Sequence, residues 1–275
     1  MASKTIWSSS TCVWQVWPLE PMTLPQHLLF LLCAATAGYV QNLTGFAFGL
    51  VLLGLVGLLG VTSIADVANV VSVLTLVNAM VLFCATRPKF EIRILLPALA
   101  ASQVGVVAGV LLVNWLSSSL VVALSLLLGL TIIACASMLA RTALALAQPS
   151  STASFIAVGA VSGVLGGLFS TAGPPLVYHL YRQPLPLRAI RDTLVAIFAA
   201  NAVLRLCMMV PTGHVSLNAL LLSLETVPLV LLQTYWMANH PSRLQPATVK
   251  RIVCALLALV GFSLVASSLH ALHIF

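Results

Sequence analysis

The sequence predicts an all-α, polytopic membrane protein built from two inverted repeats, each with a broken or re-entrant first segment followed by three transmembrane helices. Of its 275 residues, 61% are hydrophobic and 6% are charged, and the mean hydropathy is +1.12. A chain this apolar does not form a soluble domain. Apolar stretches of about 20 residues, the length that crosses a bilayer core as a helix, recur along most of it. The charges of the loops supply the third observation, because they limit how those stretches can cross.

The apolar stretches form two sets of four on either side of a polar linker. They span residues 27–60, 64–85, 94–116, 119–140, 154–183, 188–210, 215–237 and 248–272. Ala65 and Ala189 are separated by nearly the same number of residues as Asn78 and Asn201, which indicates a divergent repeat. The predicted organisation is a flexible or interfacial tail at 1–24, a first repeat at 25–146, a linker at 147–153 and a second repeat at 154–275.

Basic residues in the short loops indicate how the segments cross the membrane, and they are not arranged as a nucleic-acid surface. If all eight segments were simple spans, the loop with Arg87 and Lys89 would face the side opposite to the loops with Arg188 and Arg243. That arrangement violates the rule that keeps basic loops in the cytoplasm. If the first segment of each half enters and returns as two half-helices, these loops and Arg141 share one side. The two halves then have opposite orientations, a plan found in many transporters.

The length of the first segment in each half supports the same interpretation. A continuous helix over 27–60 would be about 50 Å long at 1.5 Å per residue, far longer than the bilayer core requires. A break near 41–45 predicts two pieces of about 20 Å each, enough to reach the middle of the bilayer and return.

The break in the second half falls in the sequence STAGPP, and its residues suit a binding site. Gly173 permits a turn, and Pro174 suits the first position of a new helix because its missing N–H is not needed there. The Ser170 and Thr171 hydroxyls either cap that helix or contact a ligand. The free N–H of Leu176 would lie at the positive end of the half-helix. Non-helical backbone at this depth survives only where it is buried in protein or lines a wet cavity.

The first half contains a counterpart, QNLTGFAFG. Asn42 or Thr44 is predicted to cap a helix that starts near Phe46, and Gly45 and Gly49 allow close backbone approach. Two half-helix N-termini then converge near the midplane from opposite sides. Their dipoles favour an anion without placing a full positive charge in hydrocarbon.

Ionisable and amide side chains inside the segments are further candidates. Glu225 and Arg205 are predicted to form either a structural ion pair or a coupling site, in which Glu225 carries a proton and Arg205 tunes the acid or attracts the anion. Asn78 and Asn201, at repeat-related positions, are predicted to face the cavity. The glycine row at 159, 163 and 167 predicts close helix packing rather than a site.

These motifs resemble those of the sulfite exporter TauE/SafE family of bacterial membrane permeases. The likeness covers about residues 27–272. It lies in GAVSGVLGGLFSTAGPPLVYHLYRQPLPLRAIRDTLVAIFAANAVLRL and, more loosely, in LTGFAFGLVLLGLVG. The resemblance implies two related halves and the movement of small sulfur-containing anions such as sulfite or sulfonates. It implies substrate contacts from Ser170, Thr171, Gly173 and Pro174, with Thr44, Gly45 and Gly49 opposite. Ala172 and Phe48 stand where relatives often have glycine, which bears on the size of the pocket.

The prediction is therefore a non-enzymatic, multi-pass secondary transporter of a small anion in the bacterial inner membrane, coupled to an ion gradient and working by alternating access. Its partners are the anion and membrane lipids, with no nucleic acid, no cofactor and no metal, and with homo-oligomerisation left open. Its substrate-binding residues are Asn42, Thr44, Gly45, Gly49, Ser170, Thr171, Gly173, Pro174, Asn78 and Asn201. Two alternatives stay open: an intramembrane hydrolase with Ser170 as nucleophile and His179 as base, and a non-transporting membrane scaffold.

Overall fold

A computed structural model describes residues 22–44, 46–85, 88–115, 121–140, 146, 148–171, 174–213, 215–239 and 246–274. Within these ranges the chain forms ten α-helices and no strand, which confirms the predicted all-α class. The helices are α1 (Leu24–Thr44), α2 (Phe48–Leu59), α3 (Ile64–Ala85), α4 (Ile92–Trp115), α5 (Val121–Ala140), α6 (Thr152–Phe169), α7 (Pro174–Tyr181), α8 (Leu187–Met209), α9 (Leu217–Asn239) and α10 (Pro246–Ile274).

The helices have the length and surface of membrane spans. Of those described, α3, α4, α6, α8 and α9 are long and apolar enough to cross a bilayer, and α2 and parts of α5 and α10 form shorter apolar helices. Large apolar side chains point outward, among them Leu32, Val104, Leu224 and Phe262. In a bilayer such side chains contact lipid rather than water, so their exposure carries no penalty. The chain is a multi-pass membrane protein.

The pair α6–α7 is a hairpin that enters the bundle and returns. The backbone N–H of Leu176 in α7 donates to Ser162 Oγ in α6 at 3.0 Å. Further along α7, His179 Nε2 lies 3.1 Å from Ser154 Oγ near the start of α6. The contacts therefore run in opposite order along the two helices. The residues after α7 therefore lie beside the residues before α6, which is the geometry of a re-entrant segment.

The basic loops of the described chain lie at one end of the bundle. The backbone N–H of Lys89, after α3, donates to Asp192 Oδ2 near the start of α8 at 2.9 Å. Before α6, the N–H of Leu146 donates to the carbonyl of Arg182, after α7, at 2.8 Å. We call the end that carries Lys89, Arg182 and Arg188 the basic face, and the other end the opposite face.

Contacts between helices show that the two halves run in opposite directions. Helix α9 is parallel to α1 and to α3, through the pairs Glu225–His27, Gln233–Ala35, Ser216–Asp66 and Thr234–Asn78. Helix α4 is parallel to α6, through Ala98–Gly159, Ser102–Gly163 and Val106–Gly167. Helix α8 begins at the basic face, as α4 does, and therefore runs in the same direction. Helices α3 and α8 are antiparallel, through Ser72–Arg205 and Lys89–Asp192. Helix α1 therefore runs in the same direction as α3, and α6 runs in the same direction as α8. Because α3 and α8 are antiparallel, the two interrupted segments enter the bundle from opposite ends.

The interrupted segments differ in one respect from the expected geometry. The first segment was predicted to divide into two pieces of about 20 Å each, but in both segments the two pieces are unequal. At 1.5 Å per residue, α1 and α2 are about 31 and 18 Å long, and α6 and α7 about 27 and 12 Å. The first helix continues through residues 41–44 because none of them is a glycine or proline. It ends at Thr44, within the predicted range 41–45.

The seam between α4 and α6 is built on glycine, as the row in α6 predicts. A Cβ added to Gly159, Gly163 or Gly167 would lie under 3.0 Å from a backbone oxygen of α4. From the other side, a Cβ on Gly105 or Gly109 would meet the backbone of α6 as closely. Small residues allow membrane helices to approach until their backbones touch. The packing role predicted for the three glycines of α6 is confirmed.

Candidate functional site

The first break places a non-glycine residue in a left-handed conformation. Ala47 has φ 78° and ψ −4° and precedes α2 directly, with no side-chain hydrogen bond to cap the helix. Asn42 and Thr44 lie in the last turn of α1, and the prediction that Asn42 caps α2 is wrong. The side chain of Thr44 is outside the described residues, so a cap from Thr44 stays a prediction. The residue at the N-cap position of α2 is Ala47, whose side chain has no hydrogen-bond acceptor. Instead, Asn42 Nδ2 donates to Thr234 Oγ1 in α9 at 3.4 Å.

The second break also contains a left-handed residue. Ser170, directly after α6, has φ 57° and ψ 17°. The first turn of α7 is capped by Ser162, whose Oγ accepts the N–H of Leu176. The prediction that this N–H is free is therefore wrong. Ala47 and Ser170 are the non-glycine residues with positive φ in the described chain, and each lies at a break. Such strain persists where the surrounding structure fixes the backbone, often at functional sites.

The two breaks line one cavity in the middle of the bundle. The cavity has a volume of about 40 Å³, room for roughly three water molecules or a small ion. Thr75 and Phe198, half-way along α3 and α8, mark its depth. Its lining is formed by Gln41, Phe46, Ala47, Phe48, Gly49, Leu50, Thr75, Gly166, Ser170, Thr171, Val177, Phe198, Asn201 and Ala202.

Gly49 and Thr171 bring the breaks into direct contact. A Cβ on Gly49 would lie 2.6 Å from Thr171 Cγ2 and 2.9 Å from Val71 Cγ1. Gly49 therefore has to be small for the two segments to meet. The Thr171 hydroxyl is buried and has no hydrogen-bond partner among the residues that the structure describes. A buried hydroxyl without a partner lowers the free energy of unfolding by about 1–3 kcal/mol. Its position at a cavity therefore suits a ligand that accepts a hydrogen bond from it.

Arg205 is buried immediately behind the second break. Its Nε donates to the carbonyl of Gly167 at 3.1 Å, and its Nη1 donates to Asn69 Oδ1 at 2.8 Å and to Ser72 Oγ at 3.1 Å. The side chain is only 2% exposed. Among the residues that the structure describes, no carboxylate lies within ion-pair distance of it. The charge is thus fixed by neutral acceptors and is not cancelled locally.

The two repeat-related asparagines have different surroundings. Asn201 lines the cavity, exchanges hydrogen bonds with Ser102 and accepts one from Gln103 Nε2 at 2.9 Å. Asn78 does not line this cavity, and its Oδ1 accepts from Thr234 Oγ1 at 3.0 Å between α3 and α9. Both asparagines were expected to face the cavity. Asn201 does so, and the expectation is wrong for Asn78.

Glu225 and Arg205 do not meet. Glu225 Oε2 lies 2.8 Å from Nδ1 of His27, in the first turn of α1. Helix α9 packs on α1 and α3, whereas α8 packs on α3 and α4. The predicted structural ion pair is wrong because equal depth in the membrane does not place two side chains on facing sides of their helices. A coupling role for Glu225 stays a prediction.

The pair required by the hydrolase alternative is not assembled. His179 contacts Ser154, and its ring packs edge-on against Phe155 with centroids 4.9 Å apart. Ser170 Oγ is hydrogen-bonded to Ser72 Oγ at 2.5 Å. The imidazole therefore faces the start of α6, while the Ser170 hydroxyl faces the cavity beyond the other end of that helix.

Some predicted site residues lie outside what the structure describes, and some lining residues were not predicted. Gly45 and Gly173 are outside the described residues, and the side chains of Thr44 and Pro174 are outside them too. Polar residues that the sequence analysis did not select are Gln41, Ser72, Thr75 and Ser162. Gln41 is the first residue of the motif QNLTGFAFG, so the sequence alone could have identified it. The others depend on how distant helices pack.

Fold and site together define a polytopic helical membrane protein whose two inverted halves each place a helix break at a shared, buried cavity. Residues 30–264 match the family described as Sulfite exporter TauE/SafE. The chain is also 34% identical over 237 residues to a protein of Cupriavidus necator named "Probable sulfite/organosulfonate exporter TauE", covering 85% of this chain and 91% of that protein. No solved structure matches the chain. The chain belongs to the sulfite exporter TauE/SafE family, as its motifs predict.

Proposed function

We propose that the chain is a secondary transporter that exports sulfite, an organosulfonate or a related sulfur anion, and that the anion binds in the cavity between the two breaks. Membership of an exporter family and the name of the Cupriavidus necator relative support the substrate class and the direction. The inverted arrangement of the halves supports alternating access, since transporters of this plan bind substrate at the interface of their repeats.

The observation that carries the proposal is the unpartnered Thr171 hydroxyl at a cavity backed by Arg205. An oxyanion accepts hydrogen bonds and donates none when fully ionised, so it satisfies a hydroxyl that the protein leaves free. The buried positive charge of Arg205 favours an anion nearby and disfavours a cation, and low local polarity strengthens this effect. Serine, threonine and amide groups then orient the anion without forming a permanent ion pair.

The N-terminus of α2 is a second source of positive potential. Phe48, Gly49 and Leu50 of its first turn line the cavity, and its N-cap residue Ala47 makes no side-chain hydrogen bond to the helix. Unpaired N–H groups at a helix start carry partial positive charge and bind anions. The two helix starts contribute unequally, because Ser162 caps the first turn of α7.

Counterflow in proteoliposomes tests the proposal. Vesicles containing the purified chain and unlabelled anion are diluted into labelled sulfite, sulfate, thiosulfate or taurine. We expect uptake of sulfite or of a sulfonate that requires both the protein and the same unlabelled anion inside. Absence of exchange for every sulfur anion, from protein that elutes as a single folded species, would contradict the proposal.

The ion coupling is a separate part of the proposal and involves Glu225, paired with His27 rather than with Arg205. A Glu225→Gln variant keeps the size of the side chain and removes its titration. We expect it to fold normally and to lose the dependence of transport on a pH gradient. Glu91→Gln, at the basic face, is the matched control. If Glu225→Gln keeps the wild-type pH profile, Glu225 is not the coupling group.

A further inference from the structure

Ser72 connects the buried charge of Arg205 to the cavity wall. It lies in α3, is fully buried, and accepts a hydrogen bond from Arg205 Nη1 at 3.1 Å. Its Oγ is also hydrogen-bonded to Ser170 Oγ at 2.5 Å and lies 3.1 Å from the carbonyl oxygen of Ala68. Ser170 lines the cavity, so a continuous chain of hydrogen bonds leads from the guanidinium to the site.

The direction of this chain depends on where the single proton of the Ser72 hydroxyl points. If Ser72 donates to the carbonyl of Ala68, the Ser170 hydroxyl must donate to Ser72, and Ser170 presents only lone pairs to the cavity. If Ser72 donates to Ser170, the proton of Ser170 is free to point into the cavity. Arg205 donates to Ser72 in both states, which makes Ser72 a stronger donor through cooperative polarisation.

We propose that Ser72 is a positioning residue that relays the charge of Arg205 to Ser170 and aims the Ser170 hydroxyl at an oxyanion in the cavity. The inference depends on the proposed function, because it assumes that the anion binds there. With the anion present, each group donates to the next in the order Arg205, Ser72, Ser170, anion. In the empty site both hydroxyl groups point the other way. Ser170 donates its hydrogen bond to Ser72, and Ser72 donates to the carbonyl oxygen of Ala68.

The relay explains why Arg205, which has no carboxylate partner in the described part of the chain, lies behind Ser72 rather than in the cavity wall. Direct contact between a guanidinium and an oxyanion is a strong, bidentate interaction that slows release. When Arg205 acts through the polarised hydroxyls of Ser72 and Ser170, it attracts and orients the anion but leaves the anion able to dissociate, as transport requires. The relay also favours ligands that accept hydrogen bonds over ligands that only donate them.

A Ser72→Ala variant tests the relay, with Ser223→Ala as its matched control. Ser223 is a buried serine in α9 that donates to the carbonyl four residues earlier, as Ser72 does. In the described chain, Arg205 and Ser170 form their hydrogen bonds with other residues. We expect Ser72→Ala to weaken labelled sulfite binding about tenfold while the maximal rate of exchange changes little, since one charge-assisted hydrogen bond is lost. Ser223→Ala should bind as the wild type does.

Combining substitutions separates a relay from a structural role. Because Ser72 acts through Ser170, the double variant Ser72→Ala and Ser170→Ala should bind no more weakly than Ser170→Ala alone. Multiplying effects, or a Ser72→Ala affinity within twofold of wild type, would overturn the relay. If Ser72→Ala does not fold, Ser72→Cys, which keeps the shape and weakens the donor, should show a smaller loss in the same direction.

The two proposals fail in distinguishable ways. Normal binding by Ser72→Ala together with weakened binding by Thr171→Val removes the relay and leaves the proposed site intact. Absence of sulfur-anion binding by the folded wild type overturns the proposed function and the relay together.

Discussion

At the scale of the residue, the Thr171 hydroxyl links stability to binding. Thr171→Val keeps the shape of the side chain and removes a buried hydroxyl that has no partner in the described chain. We expect the free energy of unfolding to rise by about 1 kcal/mol, because the unpaired hydroxyl destabilises the protein when the site is empty. We expect the affinity for sulfite to fall, because the same hydroxyl donates a hydrogen bond when the site is filled. Thermal unfolding in detergent and binding of labelled sulfite measure the two effects. A variant that lost both stability and affinity would indicate a packing role instead.

Ala47 gives a second prediction at this scale. Its left-handed backbone costs an L-residue about 1–2 kcal/mol, a cost that glycine does not have. Ala47→Gly should therefore raise the melting temperature slightly despite the greater freedom of glycine in the unfolded chain. Ala79→Gly, in the interior of α3, is the control and should lower it. Equal losses in the two variants would show that the conformation of Ala47 is unstrained.

Individual partners of side chains were the part of the site that the sequence predicted least well. Ser170 and Thr171 could be selected because they adjoin a glycine and two prolines in an apolar run. The cap from Ser162 and the relay through Ser72 come from helices that are distant in sequence. The sequence analysis compared Arg205 and Glu225 only by their depth in the membrane. Their angular positions around their helix axes, which it did not consider, direct the two side chains to different neighbours.

At the scale of the element, the seam between α4 and α6 has the least room for change. A Cβ on Gly163 would lie under 3.0 Å from the backbone oxygen of Ser102, where nothing flexible can give way. Gly163→Ala should therefore cost about 2 kcal/mol or more in stability. On Gly57 in α2, a Cβ would meet only the end of the Leu264 side chain at 3.2 Å, so Gly57→Ala is the control and should be tolerated. Similar unfolding of both variants would contradict the assigned packing.

The related seam between α1 and α9 is polar instead. His27 pairs with Glu225, and Gln233 Nε2 donates to the carbonyl of Ala35 at 2.9 Å. Helix α9 contains no glycine, so it does not reproduce the backbone contact of α4 with α6. The sequence of each helix predicted where it begins and breaks, since apolar length and glycine or proline interruptions are local properties. It did not predict which helices pair, because pairing depends on both surfaces.

At the scale of the whole molecule, the opposed halves make a prediction about topology. Lys89 and Arg188 lie at the basic face, and Thr212 lies at the opposite face beyond α8. Cysteines introduced singly at these positions, in a chain without native cysteines, should react differently with a membrane-impermeant maleimide. Thr212→Cys should label in intact cells, and Lys89→Cys and Arg188→Cys only in inverted vesicles. Labelling of Lys89→Cys and Arg188→Cys from different sides would contradict the re-entrant hairpin between them.

The inverted arrangement was within reach of the sequence because loop charge is a property of the whole molecule. Arg87, Lys89 and the basic residues around Arg188 share a side only if a segment between them re-enters. The depth and lining of the cavity were not predicted to the same degree, since Asn78 and Asn201 occupy related positions and have different surroundings. Divergent halves keep their topology while their side chains change.

The most direct measurement of the central claim is a double-mutant cycle between the two breaks, read as the affinity for labelled sulfite. Gly49→Ala should weaken binding because its Cβ would lie 2.6 Å from Thr171 Cγ2. Thr171→Ser removes that methyl group and keeps the hydroxyl. If the breaks form one anion site, the double variant should recover the part of the affinity that Gly49→Ala loses through Thr171 Cγ2, while the contact of the new Cβ with Val71 Cγ1 at 2.9 Å remains. Independent, multiplying effects of the two substitutions would contradict a shared site.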